Sequence, residues 1–257
     1  NKINNTPYLV ESTFEQNPFI AYLPQAFGIM MAKLLDLNVM WMLWLARICN
    51  LLFYAGVISF AIKKTPVLKM PLMVIACLPI SIYQAASVSI DCMIISVGLL
   101  AVSYFIYMCH AEEKSITTKE IAIFTAICIV LGLCKLTYLA FIFLLLLVPF
   151  KNYEKDTKNV LPILFISIIM AAGIGFLWSR YSTHALVHSW RSKLNYVDAS
   201  SQINYLIHHP YFLGKFLTQI FTKDLGKMFY GVFNFFNAAS LNHYSDTYYL
   251  IVAMILI

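Results

Sequence analysis

Five polar side chains stand where the surrounding sequence is too apolar for water: Arg47, Asn50, Gln84, Asp91 and Lys135. On membrane-insertion scales a charge at the bilayer centre costs about 2.5–3.5 kcal/mol, so a chain keeps one where it meets a partner or a wet cavity. Arg47 and Asn50 are three residues apart and share one helix face; Gln84, Ser87 and Asp91 follow i, i+3, i+7 spacing and share another. Lys135 lies in "GLCKLTY", where a long apolar run is interrupted. Two cations against one carboxylate leave a surplus positive charge, and the arginine fork matches phosphate oxygens. The chemistry this set suits is recognition of a phosphate at lipid-headgroup depth. Plainer roles stand beside it. Arg47 can snorkel or pair with Asp36 or Asp91. Asp91 can cap the helix that begins "DCMII". Gln84 and Ser87 can simply hold helices together.

Lipid is the solvent that makes these residues conspicuous. Of 257 residues, 61% are hydrophobic, 15% aromatic and only 12% charged, with a mean hydropathy of +0.75. Soluble domains carry about 25% charged residues. The formal net charge of +6 sits largely in loop lysines, and no basic tract interleaved with aromatics points to nucleic acid. All six cysteines lie within or at the ends of apolar runs, and none forms a C-x-x-C pair. They read as small buried hydrophobes, without zinc or thiol redox chemistry. His184 and His188 in "HALVH" have i, i+4 spacing but no acid between them, so no metal site is assigned. Phosphate-loop, dinucleotide and G-x-S-x-G patterns are also missing.

Apolar runs of membrane length predict an all-α, polytopic transmembrane helix bundle. Spans fall at about 38–62, 70–90, 91–110 and 160–178, with two short helices within 119–150 broken at "CKLTY" and a further span starting near Tyr248. That makes about six to seven spans in one membrane domain, 1–257. Its parts are an outer loop and interfacial helix (1–37), the spans (38–178), an outer-face segment (179–247) and the start of another span (248–257), and both ends read as truncated. The loops "KKTPVLK", "HAEEKSITTKE" and "KNYEKDTK" hold most of the loop lysines and are expected on the cytoplasmic side. The Ser89–Asp91 turn and the "CKLTY" break then face outward. Arg47 lies nine residues along its span, about 13 Å deep. "FIAYLPQAFGIMMAKLLDL" reads as an interfacial helix on the outer leaflet. Residues 200–236 read as further interfacial helices, with Pro210 as a helix start.

Several blocks resemble a known family. "YLPQAFGIMMAKLL", "LARICNLLFYAGVISFAIKKTP", "LPISIYQAASVSID" and "LCKLTY" are similar to the domain of unknown function 2142 family, bacterial polytopic membrane proteins grouped with the GT-C glycosyltransferase superfamily. "DASSQINYLIHHPYFLGKFL" follows that family's pattern of a Gln, a His/Asn-Pro and a Phe. The resemblance runs from about Tyr22 to Phe216. It implies a GT-C-like enzyme of the bacterial inner membrane that moves a sugar, with inversion, from a polyprenyl-phosphate donor to a cell-envelope glycan on the outer face. It also implies an acidic base in the first outer loop, after the first membrane helix. That helix and most of that loop would precede Asn1, which leaves Glu11 and Glu15 as the acids of the surviving loop. Arg47 and Lys135 would then meet the leaving phosphate, and Asn50, Gln84 and Asp91 complete the substrate-binding set. No cofactor is assigned, although a divalent metal is compatible with the chemistry. The competing class is a transporter or flippase for lipid-linked glycans, or a non-catalytic assembly scaffold. Transporters often show paired halves with matching helix breaks; one break, at "CKLTY", favours the enzyme.

Overall fold

A computed structural model describes residues 17–154, 157–182 and 199–224, and nearly all of their regular structure is helical. A 3-10 turn, Phe19–Tyr22, leads into α1 (Leu23–Leu34), α2 (Val39–Lys64), α3 (Lys69–Ala76), α4 (Pro79–Ala85), α5 (Asp91–Cys109) and α6 (Thr118–Cys134). A 3-10 helix, Leu136–Leu147, precedes α7 (Thr157–Tyr181), and α8 (Ala199–His208) and α9 (Pro210–Gln219) follow. These residues form two compact units: α8 and α9 belong to the second, and the rest, apart from Leu78–Ile80, to the first. Among the described residues, three helices are long and apolar enough to cross a membrane: Val39–Lys64, Asp91–Cys109 and Asn159–Tyr181. The further span expected from Tyr248 lies outside the described residues.

In the first unit the lysine-bearing loops gather at one end. Lys64 of α2 holds its ammonium 3.4 Å from the ring centroid of Tyr107, a cation–π contact. The Tyr107 hydroxyl donates to Glu120 at 2.9 Å. Glu120 and Thr117 form a capping box that starts α6. The loop before α6 is tied to the one before α7 by Lys114 N to Lys151 O and Ile116 N to Asn152 O, both 2.9 Å. Asn152 Nδ2 reaches back to Met108 O at 3.0 Å. The loops around Lys64, Lys114 and Lys151 thus lie together at one end of this unit.

The stretch expected as one span over 70–90 is two short helices. In an unbroken helix residue 79 would donate to the carbonyl of Ile75, and proline has no N–H to give. Ser81 Oγ donates to Ile75 O instead, at 3.1 Å. Tyr54 Oη of α2 donates to Ala76 O at 2.7 Å. Two side chains therefore satisfy the carbonyls that the break releases.

The helix expected to lie on the outer leaflet packs lengthwise on α2. Gln25, Gly28 and Ala32 form the buried face of α1. A side chain at Gly28 could not fit, since its Cβ would lie 2.6 Å from Leu45 C and 2.7 Å from Ala46 N. The missing Cβ lets the two backbones touch. Phe27, Met30 and Leu34 remain exposed on the other faces.

Residues 119–150 do break at "CKLTY". The second half, however, is 3-10 rather than α. Its burial repeats every third residue: Leu139 is half-buried, and Ile142, Leu145 and Val148 are buried. That ridge faces a core built with Tyr104, Met108, Phe124, Cys128 and Leu164. Gly132 of α6 makes room for it, since a Cβ there would collide with the Leu139 side chain. At the lysine end Tyr153 donates its hydroxyl to Leu145 O at 2.9 Å. Burial pushes that phenol well above its ordinary value, which keeps it a donor. Pro210 opens α9 as its first residue.

Candidate functional site

The polar set is organised around the turn from Ala86 to Asp91. Helix α4 ends at Ala85 because serines downstream compete for its last carbonyls. Ser87 offers both its N–H (3.2 Å) and its hydroxyl (2.8 Å) to Gln84 O. Its Oγ also pairs with Ser89 Oγ at 2.8 Å, and Ser89 Oγ accepts from the N–H of Asp91 at 3.3 Å. Gln84, Ser87 and Asp91 were expected on one helix face; the turn removes that common face and strings them along a loop instead.

Helix α2 holds this turn through its own polar pair. Arg47 donates Nε to Ala86 O at 2.7 Å. Asn50 donates Nδ2 to Ser87 O at 2.7 Å and to Oε1 of Gln25 at 3.3 Å. Asn50 is 1% exposed and Gln25 3%, so each needs its partner. The thiol of Cys92 donates to Asn50 O at 3.3 Å, which ties in the first turn of α5. Sequence reasoning missed Gln25. Its signal was a lone amide on the face that carries Gly28 and Ala32.

Arg47 uses only Nε in these contacts. Its two terminal nitrogens make no hydrogen bond to any described residue, and its guanidinium carbon sits 5.5 Å from the ring centroid of Trp44. No Arg47–Asp91 ion pair forms among the described residues. Ile90, rather than Asp91, is the residue at the N-cap of α5, and Asp91 lies in the first turn, where the helix dipole favours a negative charge. Beside Arg47, on the same stretch of α2, an open groove of about 420 Å3 is lined by Met40, Trp41, Trp44 and Ile48.

Lys135 occupies a different pocket. It follows the last residue of α6 in an extended conformation and is exposed, with Nζ 5.8 Å from the Tyr138 ring centroid. A cavity of about 200 Å3 opens beside it, reaching Asn17, Gly175 and the last described turn of α7. Neither Arg47 nor Asp91 lines that cavity. The two places share an apolar cluster that includes Ile90 and Met93, flanking Asp91, and Cys134 and Tyr138, near Lys135. The structure therefore brings Arg47, Asn50, Gln84 and Asp91 to one turn and sets Lys135 in a second pocket at the same end of the unit. Glu11 and Glu15, like His184 and His188, lie outside the described residues.

Compared with curated proteins and with solved structures, the chain finds no match in either set. A family model described as a predicted membrane protein (DUF2142) matches residues 8–257, and the chain belongs to that family.

Proposed function

We propose that this protein is a GT-C-type glycosyltransferase that moves a sugar from a polyprenyl-phosphate donor to a cell-envelope glycan at the outer face of the bacterial inner membrane. The observation that carries the proposal is Arg47: Nε is anchored to Ala86 O at 2.7 Å, and the terminal nitrogens of the fork, which bond to no described residue, can meet an anion. Seventeen residues separate Arg47 from Lys64 on α2, about 26 Å at helical rise. With Lys64 at the cytoplasmic boundary of a hydrocarbon core about 30 Å thick, the Arg47 backbone falls about 4 Å inside the opposite boundary, close enough for its long side chain to reach up to the headgroup layer. The apolar groove of Met40, Trp41, Trp44 and Ile48 offers the isoprenoid chain a bed beside that fork.

In the transfer, a base takes the proton of an acceptor hydroxyl, and its oxygen attacks the anomeric carbon. The bond from that carbon to the phosphate oxygen breaks, and the electron pair leaves on the phosphate. A cation held in place before the reaction stabilises the charge that grows there. Arg47 supplies it, Asn50 keeps the turn that positions Arg47, and Asp91 orients the sugar or the cation. Full-length protein in proteoliposomes, given radiolabelled polyprenyl-phosphate sugars and envelope glycan, should release polyprenyl phosphate and label the glycan, and Arg47→Gln should abolish both. Label that crosses the bilayer still attached to its lipid would identify a carrier instead.

A further inference from the structure

We infer that the cavity beside Lys135 is a binding site for a single sugar ring. Its chemistry is neither that of an anion site nor that of a metal site. Helix α6 ends in its wall, and the carbonyls of Gly132, Leu133 and Cys134 accept no hydrogen bond from a described residue. Helix C-termini carry a partial negative charge, which disfavours a simple anion. The Lys135 ammonium, whose one described contact is the Tyr138 ring, disfavours a cation. A neutral ligand rich in hydroxyls suits both, since each hydroxyl can donate to a carbonyl and accept from an ammonium. Asn17 and Ser182 line the same cavity; Asn17 donates Nδ2 to Tyr22 Oη and Ser182 its hydroxyl to Ser179 O, and the oxygen of each side chain can still accept from a ligand hydroxyl. Trp178 adds an indole to the wall, an amphipathic surface of the kind that the C–H face of a pyranose covers. The cavity is open on one side and holds about 200 Å3, room for one ring with its hydroxyls. Gly132 and Gly175 also line the cavity, and the space where each Cβ would stand is taken by the Leu139 and Leu136 side chains. A Cβ on Gly175 would already stand 3.1 Å from Leu136 Cδ1.

The inference goes beyond sugar transfer, because a ring bound here can be donor, acceptor or cargo. Saturation-transfer NMR tests it on full-length protein in nanodiscs, with a panel of methyl hexosides and methyl N-acetylhexosaminides as probes and inorganic phosphate as competitor. At least one glycoside should show saturation of its ring protons. Trp178→Ala and Lys135→Met should each weaken its binding roughly tenfold, and phosphate should not displace it. Thermal midpoints identify variants that fail to fold; the milder Ser182→Ala should then reproduce the weakening in a folded protein. No saturation by any glycoside, displacement by phosphate, or binding indifferent to every folded variant would overturn the inference. Glycoside binding without transfer from polyprenyl-phosphate donors would sink the proposed reaction and leave this site standing. Transfer with no glycoside binding would do the reverse.

Discussion

Asn50 donates one amide to the carbonyl of Ser87 at 2.7 Å, across a sequence separation of 37 residues. The same nitrogen reaches Gln25 at 3.3 Å. One side chain thus fixes the hairpin of α1 and α2 to the turn that precedes α5, and the position of Arg47 depends on that turn.

Replacing Asn50 by Leu leaves the buried Gln25 amide without this partner, at about 1–3 kcal/mol, and the part-buried Ser87 carbonyl without it at a smaller cost. A clear drop in thermal midpoint in detergent is expected. Adding Gln25→Leu should cost less than the sum of the two single changes, because the partners share one network. Strict additivity would show that the two amides do not interact.

Gly28→Val should force α1 off α2, since even a Cβ would lie 2.6 Å from Leu45 C. Overpacking of this kind costs typically about 1–3 kcal/mol. Gly56→Ala is the control, because a Cβ there meets nothing within 4 Å, and alanine is the better helix former by about 1 kcal/mol. The first should lose a disulfide engineered between α1 and α2, and the second should keep it and melt no lower than the parent.

Arg47→Lys keeps the charge and loses the fork. Its one ammonium must choose between Ala86 O and the donor phosphate, so donor use should fall roughly 10- to 100-fold, the equivalent of about 1.5–3 kcal/mol for a charged hydrogen bond. The fold should lose little. Arg47→Gln should lose donor use altogether, and adding Asp91→Asn should not restore it, because no ion pair joins the two residues among those described. Recovery of transfer in the double variant would reduce Arg47 to a counter-ion.

Topology is checked by cysteine labelling from outside intact cells. Positions 64, 113 and 151, whose side chains or loops meet at the lysine end, should stay unlabelled, while Ser89 and Ser201 should react. Labelling at position 64 from outside would invert the arrangement on which the proposed reaction depends.

The long apolar helices were legible because length and hydropathy alone define them: α2, α5 and α7 match runs visible in the sequence. The break after Cys134 was legible too, because Lys135 and Thr137 interrupt a uniform run. Pro79 concealed the opposite kind of information. Prolines occur inside membrane helices as well as at their ends, and only the carbonyl partners Tyr54 and Ser81 decide between the two. Those partners are distant or on another turn, so spacing could not reveal them. For the same reason the grouping of Arg47 with Lys135 followed from depth and charge, whereas packing sets Arg47 against the Ala86 carbonyl and Lys135 in a separate cavity. "LTYLAFIFLLLL" is apolar at almost every position, so no period could be read from it.

That segment has a consequence for how its length can vary. At three residues per turn, positions three apart eclipse one another, and Leu139, Ile142, Leu145 and Val148 form a straight ridge. Inserting or deleting one residue turns everything beyond it by about 120° and swings the ridge out of the core. A change of three residues restores the phase and alters only the height, by about 6 Å. Relatives that preserve this winding should therefore differ in this stretch by whole turns, in steps of three, whereas an α-helical span turns by about 100° per residue and comes back close to phase after about seven.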